Sequence, residues 1–478
     1  MNGKFLRAPR SRREFLRWAG VATGAAALAA CATPTPQVIK ETVVVKETVP
    51  VTVKETVVVE KEKVVQQTVV VEKEKQVEKV VTATPVPKRA VKIQMLYYED
   101  AEGLVQSQDY MKLHPEVTIE PIPAAEGKLD SMIAAGTPPD LFPIGDVTFP
   151  KYLTEKTILN LQPLIAAEKF DLSAYFPRIL QTSQAPNGDL YALGPDFGAQ
   201  LLYYNKTLFD QAGVDVPTEE WIWDNVREAA QKITKGEGAN KIYGTMPHNP
   251  WFAQFPIVWQ SGGEIFSEDG TKCLMDSAEA IEALSYIYEF VKQGQAPTPQ
   301  QLSGMGMESG QLFAAKRAAM FPGGHWEFNA FKEATDYEWD VTVVPKKKNA
   351  VSFLHQAFWC ASSKTKEPEV CWDWIKFTCG PEQSEKFCLA LGGMSTLKVV
   401  AERLANNPPG TASSGVTKVW KALYRSGLIG RAPNNVYRFT EFIDNAWTPN
   451  LDKLWAGDLT PQQTGQTIAT EGTKILQG

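Results

Sequence analysis

Few residue groups in this chain have the types and spacing of a catalytic centre. Ser363 and Lys366 stand in the S-x-x-K arrangement, in which a lysine can activate a serine nucleophile. The companion S-D-N and K-T-G motifs are missing and Glu367-Pro368 follows directly, so we interpret the pair as a loop leading into a helix. Neither a G-x-S-x-G elbow nor an H-E-x-x-H zinc motif occurs. A pair of glycosidase carboxylates need not be close in sequence, so spacing leaves that activity open.

The cysteines do not form a recognisable reactive site. Apart from Cys31, an odd number of thiols remains, with no C-x-x-C pair and no His-Cys spacing typical of a metal site. We expect most of them to be core residues, and we predict neither a metal nor another cofactor. The sequence leaves open whether two of Cys371, Cys379 and Cys388 form a disulfide. The five are Cys273, Cys360, Cys371, Cys379 and Cys388.

The N-terminal residues have the layout of an export signal. Six basic residues and one acidic residue in 1–17 precede a short, weakly apolar run over 18–30. Residues 11–17 read SRREFLR, which resembles the twin-arginine signal, and 28–31 read LAAC, which resembles the lipobox of bacterial lipoproteins. We therefore predict that 1–30 is removed and that lipid on Cys31 anchors the protein to the outer face of the cell membrane.

Residues 31–89 form a low-complexity segment. TVVV recurs at 42–45, 56–59 and 68–71, and EKEK at 60–63 and 72–75. Between 38 and 81 there are eight Lys, eight Glu and eighteen Val, with no Gly and no aromatic residue, so no globular core can form. Val and Thr favour extended chain, whereas alternating Glu and Lys suit a solvated helix or coiled coil. We predict a stalk; an adhesive or oligomerising element is the alternative.

The body of the protein, residues 90–478, is acidic. It has 46 acidic and 33 basic residues, a net charge of -13, and its only run of basic residues is at 346–348. Such a surface does not neutralise phosphates, so we predict no nucleic-acid partner. No apolar run of about 20 residues exists in the chain, which excludes a multi-spanning membrane protein.

The pattern of elements in the body is that of an α/β protein. Strands are predicted at 91–98, 117–120 and 140–144. A helix ending near 114 separates the first two strands, and a helix at 128–135 separates the second from the third. This alternation predicts a parallel sheet with ligands at the carboxyl ends of its strands. Farther on, helices are predicted at 219–232, 278–291, 310–319, 368–377 and 381–391, and strands at 339–344 and 357–361.

Over most of 90–478 the sequence resembles the extracytoplasmic solute-binding proteins of carbohydrate-type ABC importers, the group that includes maltose-binding protein. The similarity rests on an ordered series of segments rather than on one motif. In chain order they are GTPPD at 136–140, NGDLYALGP at 187–195, LYYNKTLFDQAG at 202–213, GGEIF at 262–266, FAAKRAAM at 313–320, GHW at 324–326 and WDVTVVP at 339–345.

This resemblance implies two discontinuous α/β lobes joined by a hinge, the type II periplasmic-binding-protein fold. By analogy, lobe 1 comprises about 90–195 plus part of 351–430, and lobe 2 comprises about 196–350 plus C-terminal helices. The implied protein is a monomer that closes over a small solute and delivers it to the permease subunits of an ABC transporter. It is not an enzyme, and transport energy comes from the permease complex, since this chain has no phosphate-binding loop.

Sugar chemistry suits the residues that the resemblance assigns to the cleft. Sugar rings stack on aromatic side chains, and their hydroxyls bond to planar polar groups. His355 and Gln356 stand at the second lobe crossing, where relatives often have small residues, which implies a different hydrogen-bond set. The implied ligand-binding residues are Tyr98, Asp100, Asp146, Asp196, Asn249, Trp251, Trp326, His355, Gln356 and Arg438, with Glu99 and Tyr437 beside them.

Most of these residues also have a structural interpretation. Asp146 and Asp196 equally suit turn or cap positions, whereas Trp251 and Trp326 follow Pro or Gly in loops, where core packing is less automatic. Tryptophans on predicted elements are expected in the core: Trp259, Trp339, Trp372, Trp374 and Trp447. Two alternatives to a binding protein remain, a surface-anchored glycosidase or esterase and a structural surface lipoprotein.

Overall fold

The computed structural model describes residues 42–52, 72–82, 89–97, 101–246, 251–331, 337–408, 414–433 and 436–478. Contacts divide the chain into two units, Met1–Lys88 and Arg89–Gly478. The strands of the described residues are β1 (Thr42–Thr52), β2 (Glu72–Thr82), β3 (Val91–Tyr97), β4 (Val117–Pro123), β5 (Leu141–Gly145), β6 (Asp196–Asn205), β7 (Met320–Gly324), β8 (Trp339–Val343), β9 (Ser352–His355), β10 (Ala357–Ala361), β11 (Met394–Ser395) and β12 (Gly430–Arg431).

The helices belong to the larger unit. They are α1 (Ala101–Leu113), α2 (Lys128–Ala134), α3 (Phe149–Thr154), α4 (Gln162–Glu168), α5 (Pro177–Gln181), α6 (Lys206–Ala212), α7 (Trp223–Ile233), α8 (Trp251–Ser261), α9 (Ala278–Lys292), α10 (Pro299–Met305), α11 (Ser309–Ala314), α12 (Phe328–Phe331), α13 (Pro368–Thr378), α14 (Pro381–Leu391), α15 (Lys398–Asn406), α16 (Ser414–Ile429), α17 (Phe439–Phe442), α18 (Thr448–Ala456) and α19 (Pro461–Gln477). No helix in these described ranges is long and apolar enough to cross a membrane.

The smaller unit contains a two-stranded antiparallel ribbon. β1 and β2 pair along their whole length, from Thr42 opposite Thr82 to Thr52 opposite Glu72. The sequence left extended and helical conformations open here, and the described residues are extended, as their Val and Thr content favours. The role of this segment as a stalk stays a prediction.

The first sheet of the larger unit has the strand order β10-β5-β3-β4. β3 runs parallel to β4 and β5, which confirms the three strands expected near the start of the body. The prediction of a wholly parallel sheet is wrong at β10, which runs antiparallel to β5. The reason lies in the connection: β10 enters directly after β9 of the other sheet, without the helical crossover that a parallel strand needs.

Apolar layers cover both faces of this sheet. Along β5, Leu141 belongs to one buried cluster, whereas Phe142 and Ile144 belong to another. Along β10, Trp359 and Phe358 divide in the same way, as alternating side chains of a strand must. Because the edges of β3 and β5 are also paired, their carboxyl ends are where polar residues can meet solvent.

The second sheet has the order β11-β6-β9-β12, with β7 and β8 also paired to β6. β6 is buried over its whole length and was not predicted as a strand. Gly198 of β6 lies opposite His355 of β9, and Gln200 lies opposite Gly324 of β7. This pairing brings together the ends of β7 and β9, which are far apart in the sequence.

Two predicted helices differ from the structure by several residues at one end, whereas those predicted at 128–135, 278–291 and 368–377 differ by one residue. The helix expected over 219–232 begins at Trp223, because the chain is still extended at Ile222. The helix expected over 310–319 ends at Ala314, because Lys316 adopts a left-handed φ of 61°. The next regular element is β7, which begins at Met320. The helix predicted at 381–391 matches α14 residue for residue.

The tryptophans expected in the core are buried, with at most 3% of each residue exposed. They are Trp259, Trp339, Trp372, Trp374 and Trp447. All five body thiols are buried and free, so the disulfide left open within the last three is not formed. Burial raises the pKa of Cys273 and of Cys371 to about 12 and raises those of the other three as well.

Candidate functional site

The centre of the site is a carboxylate and an imidazole brought together by strand pairing. Asp146 follows β5 directly, and His355 is the last residue of β9. The backbone N–H of Asp146 donates to the carbonyl of Gln356 at 3.0 Å, which extends the β5–β10 ladder by one bond. In this register, His355 Nδ1 lies 3.1 Å from Asp146 Oδ1. Two predicted ligand-binding residues are therefore in direct contact.

The Asp146 carboxylate is buried, with 6% of the residue exposed, but only one of its oxygens is satisfied. Oδ1 accepts from the backbone N–H of Val147 at 3.0 Å and faces His355. Oδ2 has no hydrogen-bond partner among the described residues. A buried acceptor without a partner is costly, so a hydroxyl or another donor placed there would be bound favourably.

The two histidines at this site have opposite electrostatic tendencies. Burial lowers the pKa of His355, but the charge and hydrogen bond of Asp146, together with the charge of Asp196, raise it above its ordinary value. Burial, with a smaller contribution from nearby His355, lowers the pKa of His325 to about 3. His325 is therefore neutral near pH 7, whereas the surroundings of His355 favour its cationic form.

His325 occupies space that a glycine leaves free. A Cβ on Gly198 would lie 2.0 Å from both Cε1 and Nδ1 of the His325 ring. Gly198 is also the β6 residue that pairs with His355. The same glycine therefore lies beside both histidines. His325 was not among the predicted site residues; its place in GHW at 324–326, next to a predicted aromatic, was the available signal.

Aromatic rings form one wall of the site. Trp326 is 38% exposed, and its ring meets the rings of Phe252, His325 and His355 at 5.1, 5.2 and 6.0 Å between centroids. All three contacts are edge-to-face, which holds the indole in place. Phe353 of β9 contacts His355 and Phe252 at 6.4 and 6.2 Å. Neither phenylalanine was predicted from the sequence.

Trp251 is part of the core rather than of this wall. Its ring packs edge-to-face against Phe255, Phe353 and Phe439, at centroid distances of 5.2, 5.3 and 4.8 Å. It borders the same cluster of buried residues as those rings. The next residue, Phe252, is the one that contacts Trp326. Trp251 therefore packs against the core, and its role in ligand binding stays a prediction.

Other predicted residues are held by structural contacts. Gln356 is buried and accepts a hydrogen bond from the Thr182 hydroxyl at 3.0 Å. Asp196 is buried at the start of β6, beside Gly393, where a Cβ would lie 2.0 Å from its Oδ2. Arg438 donates to both oxygens of Glu441 and to the carbonyl of Ile475. These contacts tie Arg438 to the C-terminal helices. Tyr437 beside it is exposed.

Part of the predicted site lies outside the described residues. Tyr98, Glu99 and Asp100 follow β3, and Asn249 precedes α8, at positions that the structure does not describe. Their roles remain predictions, as does that of Cys31. Among the described residues, no group of three or more His, Cys, Asp or Glu side chains is arranged to hold a metal ion.

A cavity at the carboxyl ends of β3, β4 and β5 lies near the Asp146–His355 pair, although neither residue of the pair lines it. Thr148 Oγ1 and His355 Cε1 both lie 4.0 Å from the place a Cβ on Gly145 would take, and Thr148 lines the cavity. Its volume is about 470 Å³, within the range of small-molecule sites. Its floor is aliphatic, and Glu126, Asp130, Thr148 and Tyr152 supply polar groups.

Comparison with known proteins identifies similar chains. Residues 106–415 match the family described as bacterial extracellular solute-binding protein. The arabinooligosaccharide-binding protein of Halalkalibacterium halodurans is 32% identical over 158 residues, which cover 32% of this chain and 33% of that protein. The sn-glycerol-3-phosphate-binding periplasmic protein of Brucella abortus is 29% identical over 158 residues, which cover 32% of this chain and 35% of that protein. Each match spans about a third of the relative's length.

Solved structures match over a larger part of the chain. The ABC substrate-binding protein of Listeria monocytogenes, solved in complex with cycloalternan, superposes with a TM-score of 0.70 and 24% identity. The match covers 81% of this chain and 99% of that one. At this identity the similarity establishes the fold.

Proposed function

We propose a function for this chain from one premise: it belongs to the bacterial extracellular solute-binding proteins. Its fold is the two-lobe α/β fold of ABC transporter binding proteins, as the sequence predicted. From this premise and the site we propose that the protein captures a sugar or oligosaccharide between its lobes, without chemical turnover. The lobe limits given above, about 90–195 with part of 351–430 and about 196–350 with C-terminal helices, are part of this proposal.

One observation carries the proposal: a partly exposed indole and a buried carboxylate with one oxygen that lacks a donor both lie beside His355. The Trp326 face can stack on the C–H patch of a sugar ring, and Asp146 Oδ2 can accept from a hydroxyl at its rim. His355 connects the two, since it contacts both side chains. An apolar solute would leave the Asp146 oxygen unsatisfied, so a polyol fits the pair better.

The adjoining cavity favours a ligand longer than one sugar ring. The cavity has a volume of about 470 Å³ at the carboxyl ends of three strands, and Thr148 in its lining lies near His355. A ligand that contacts Trp326 and also fills this cavity has to span both parts of the site. We therefore propose an oligosaccharide, the class that the names of the arabinooligosaccharide-binding relative and the cycloalternan complex also report for those proteins.

Delivery to a membrane permease and anchoring through Cys31 complete the proposed function. Both come from the family and from the N-terminal sequence: the signal over 1–30, the lipobox and the segment 31–89 that follows it. The proposed protein is thus a monomeric lipoprotein that binds solute outside the cell membrane. Lobe closure would create the shape that the permease recognises.

Thermal unfolding and tryptophan fluorescence test the binding step. We expect arabino-oligosaccharides or other neutral oligosaccharides to raise the melting temperature and to change the fluorescence of Trp326. Trp326→Ala should weaken binding by roughly 1–4 kcal/mol. The matched control is Trp221→Ala, since the Trp221 ring is also partly buried but contacts Phe209 instead.

Two results would contradict the proposal. Steady release of product from a bound oligosaccharide would show an enzyme, as in the glycosidase alternative. Equal affinities of the Trp326→Ala and Trp221→Ala variants would show that the aromatic wall does not contact ligand.

A further inference from the structure

The crossing strand β9 has a second polar surface on the side opposite the proposed sugar site. Phe353 and His355 point to the site, so Leu354 and the side chain of Gln356 point the other way. There Leu354 lines a groove of about 480 Å³. The groove is completed by Arg178 and Gln181 of α5, by Thr182 directly after that helix, by Gly430 and Arg431 of β12, and by Ala432 and Pro433.

The lining of this groove is cationic. It includes two arginines and no aspartate or glutamate. The body of the protein has a net charge of -13, so its general field opposes anion binding and a groove with two guanidinium groups is a local exception. Neutral polar contacts are available from Gln181 and Thr182 on the same wall.

Both guanidinium groups are held in position by the fold. Arg431 donates to the two carboxylate oxygens of Glu264, at 2.8 and 2.5 Å, and its guanidinium carbon lies 4.8 Å from the centre of the Trp259 ring. Arg178 donates through one terminal nitrogen to the carbonyl of Gly430 at 3.1 Å. Within the described ranges, Arg178 forms no ion pair, so its charge and remaining N–H groups face the groove without an acidic partner.

We propose that this groove is a binding site for a small multivalent oxyanion, such as a phosphate or a polycarboxylate. A guanidinium group presents parallel N–H donors that match the oxygen spacing of both groups. Arg178 supplies the uncompensated charge, Arg431 adds a second fixed guanidinium group whose charge is paired with Glu264, and Thr182 and Gln181 complete the polar contacts.

The groove is connected to the sugar site by two hydrogen bonds. The Thr182 hydroxyl donates to Gln356 Oε1 at 3.0 Å, and the carbonyl of the same Gln356 accepts from the backbone of Asp146 at 3.0 Å. Its walls also come from both proposed lobes, because Arg178 belongs to the first and Arg431 is fixed by Glu264 of the second. Hinge closure would change its width, so anion and sugar binding are coupled; this coupling rests on the proposed function.

Anion binding can be tested without sugar. Inorganic phosphate is titrated into the purified protein at constant ionic strength and followed by ³¹P line broadening, with citrate followed by calorimetry. We expect saturable binding of at least one of the two, weakened about tenfold in Arg178→Gln by the loss of charge-assisted hydrogen bonds. Arg227→Gln is the matched control, since Arg227 lies on α7 and pairs with Asp224. Arg178 is exposed, so its substitution should leave the melting temperature unchanged.

The outcomes separate this site from the proposed function. No saturable binding of phosphate or citrate, or equal binding by Arg178→Gln and Arg227→Gln, would overturn the anion site whether or not a sugar binds. If anion binding depends on Arg178, the affinity for a bound oligosaccharide is then compared with and without saturating anion. A change of about fivefold or more, reduced in Thr182→Val, supports the coupling. An unchanged affinity overturns the coupling.

Discussion

The contact between Gly198 and His325 gives the sharpest quantitative prediction. In Gly198→Ala the new Cβ would lie 2.0 Å from two ring atoms, whereas non-bonded carbon atoms prefer about 3.5 Å, so the ring has to move by roughly 1.5 Å. The ring is buried and packs against Trp326 at 5.2 Å, which leaves it little room. Overpacking of this kind costs about 1–3 kcal/mol.

The expected result is a loss of both stability and binding. For a unit as large as Arg89–Gly478, a cost of that order lowers the melting temperature by roughly 1–4 °C. Because Trp326 follows His325 directly and contacts it, the displaced ring should also shift the indole and weaken oligosaccharide binding. Differential scanning calorimetry and fluorescence titration measure the two effects on the same samples.

A double-mutant cycle identifies the cause. In a His325→Ala background the clash is absent, so Gly198→Ala should cost less than about 0.5 kcal/mol. Gly304→Ala is the matched control, because Gly304 lies in α10 with no atom within 4 Å of a new Cβ. That control should gain about 0.5–1 kcal/mol from helix propensity. An equal cost of Gly198→Ala in both backgrounds would refute the assignment of the contact.

Three further predictions concern other parts of the chain. The Asp146–His355 pair should stabilise the fold fully below pH 6.5 and lose its contribution as pH rises through the raised pKa of His355. His355→Gln should remove this pH dependence from melting curves. The contribution is at most about 1 kcal/mol, because the imidazole is 38% exposed. Trp251→Ala should lower the free energy of unfolding by up to about 3 kcal/mol in urea titrations, with Trp326→Ala costing less; the reverse order would contradict the roles assigned to them. Cys31→Ala should release the protein from the membrane fraction on centrifugation, and continued membrane association would count against lipidation.

The sequence predicted the elements whose pattern is local. The strand at 117–120 and the helix at 381–391 follow from alternation and helical spacing, and both are present. β6 was missed, because it is buried on both faces and a continuous apolar run such as Leu201–Tyr204 does not distinguish strand from helix. The early end of α11 depends on the left-handed conformation of Lys316, which residue type alone does not indicate.

The candidate site was predicted in part for a similar reason. Asp146 and His355 follow from the resemblance, and the structure brings them into contact. Phe252 and Phe353 are of a residue type that is usual in the core. The pairing of β9 with β6 and the ring contact between the two phenylalanines show that they border the site. His325 could not be predicted, because its position depends on the space left free by Gly198, which is visible only in three dimensions.

The strand β6 also determines how the larger unit loses its structure. Leu201 and Tyr203 belong to one core, whereas Leu202 and Tyr204, between and after them, belong to the other. Neither core can be exposed without distorting a strand that supports its neighbour. Two-domain chains commonly melt in separate steps, but here the larger unit should unfold in a single cooperative transition. A proteolytic fragment that keeps only one of the two cores would therefore lack an independent native state.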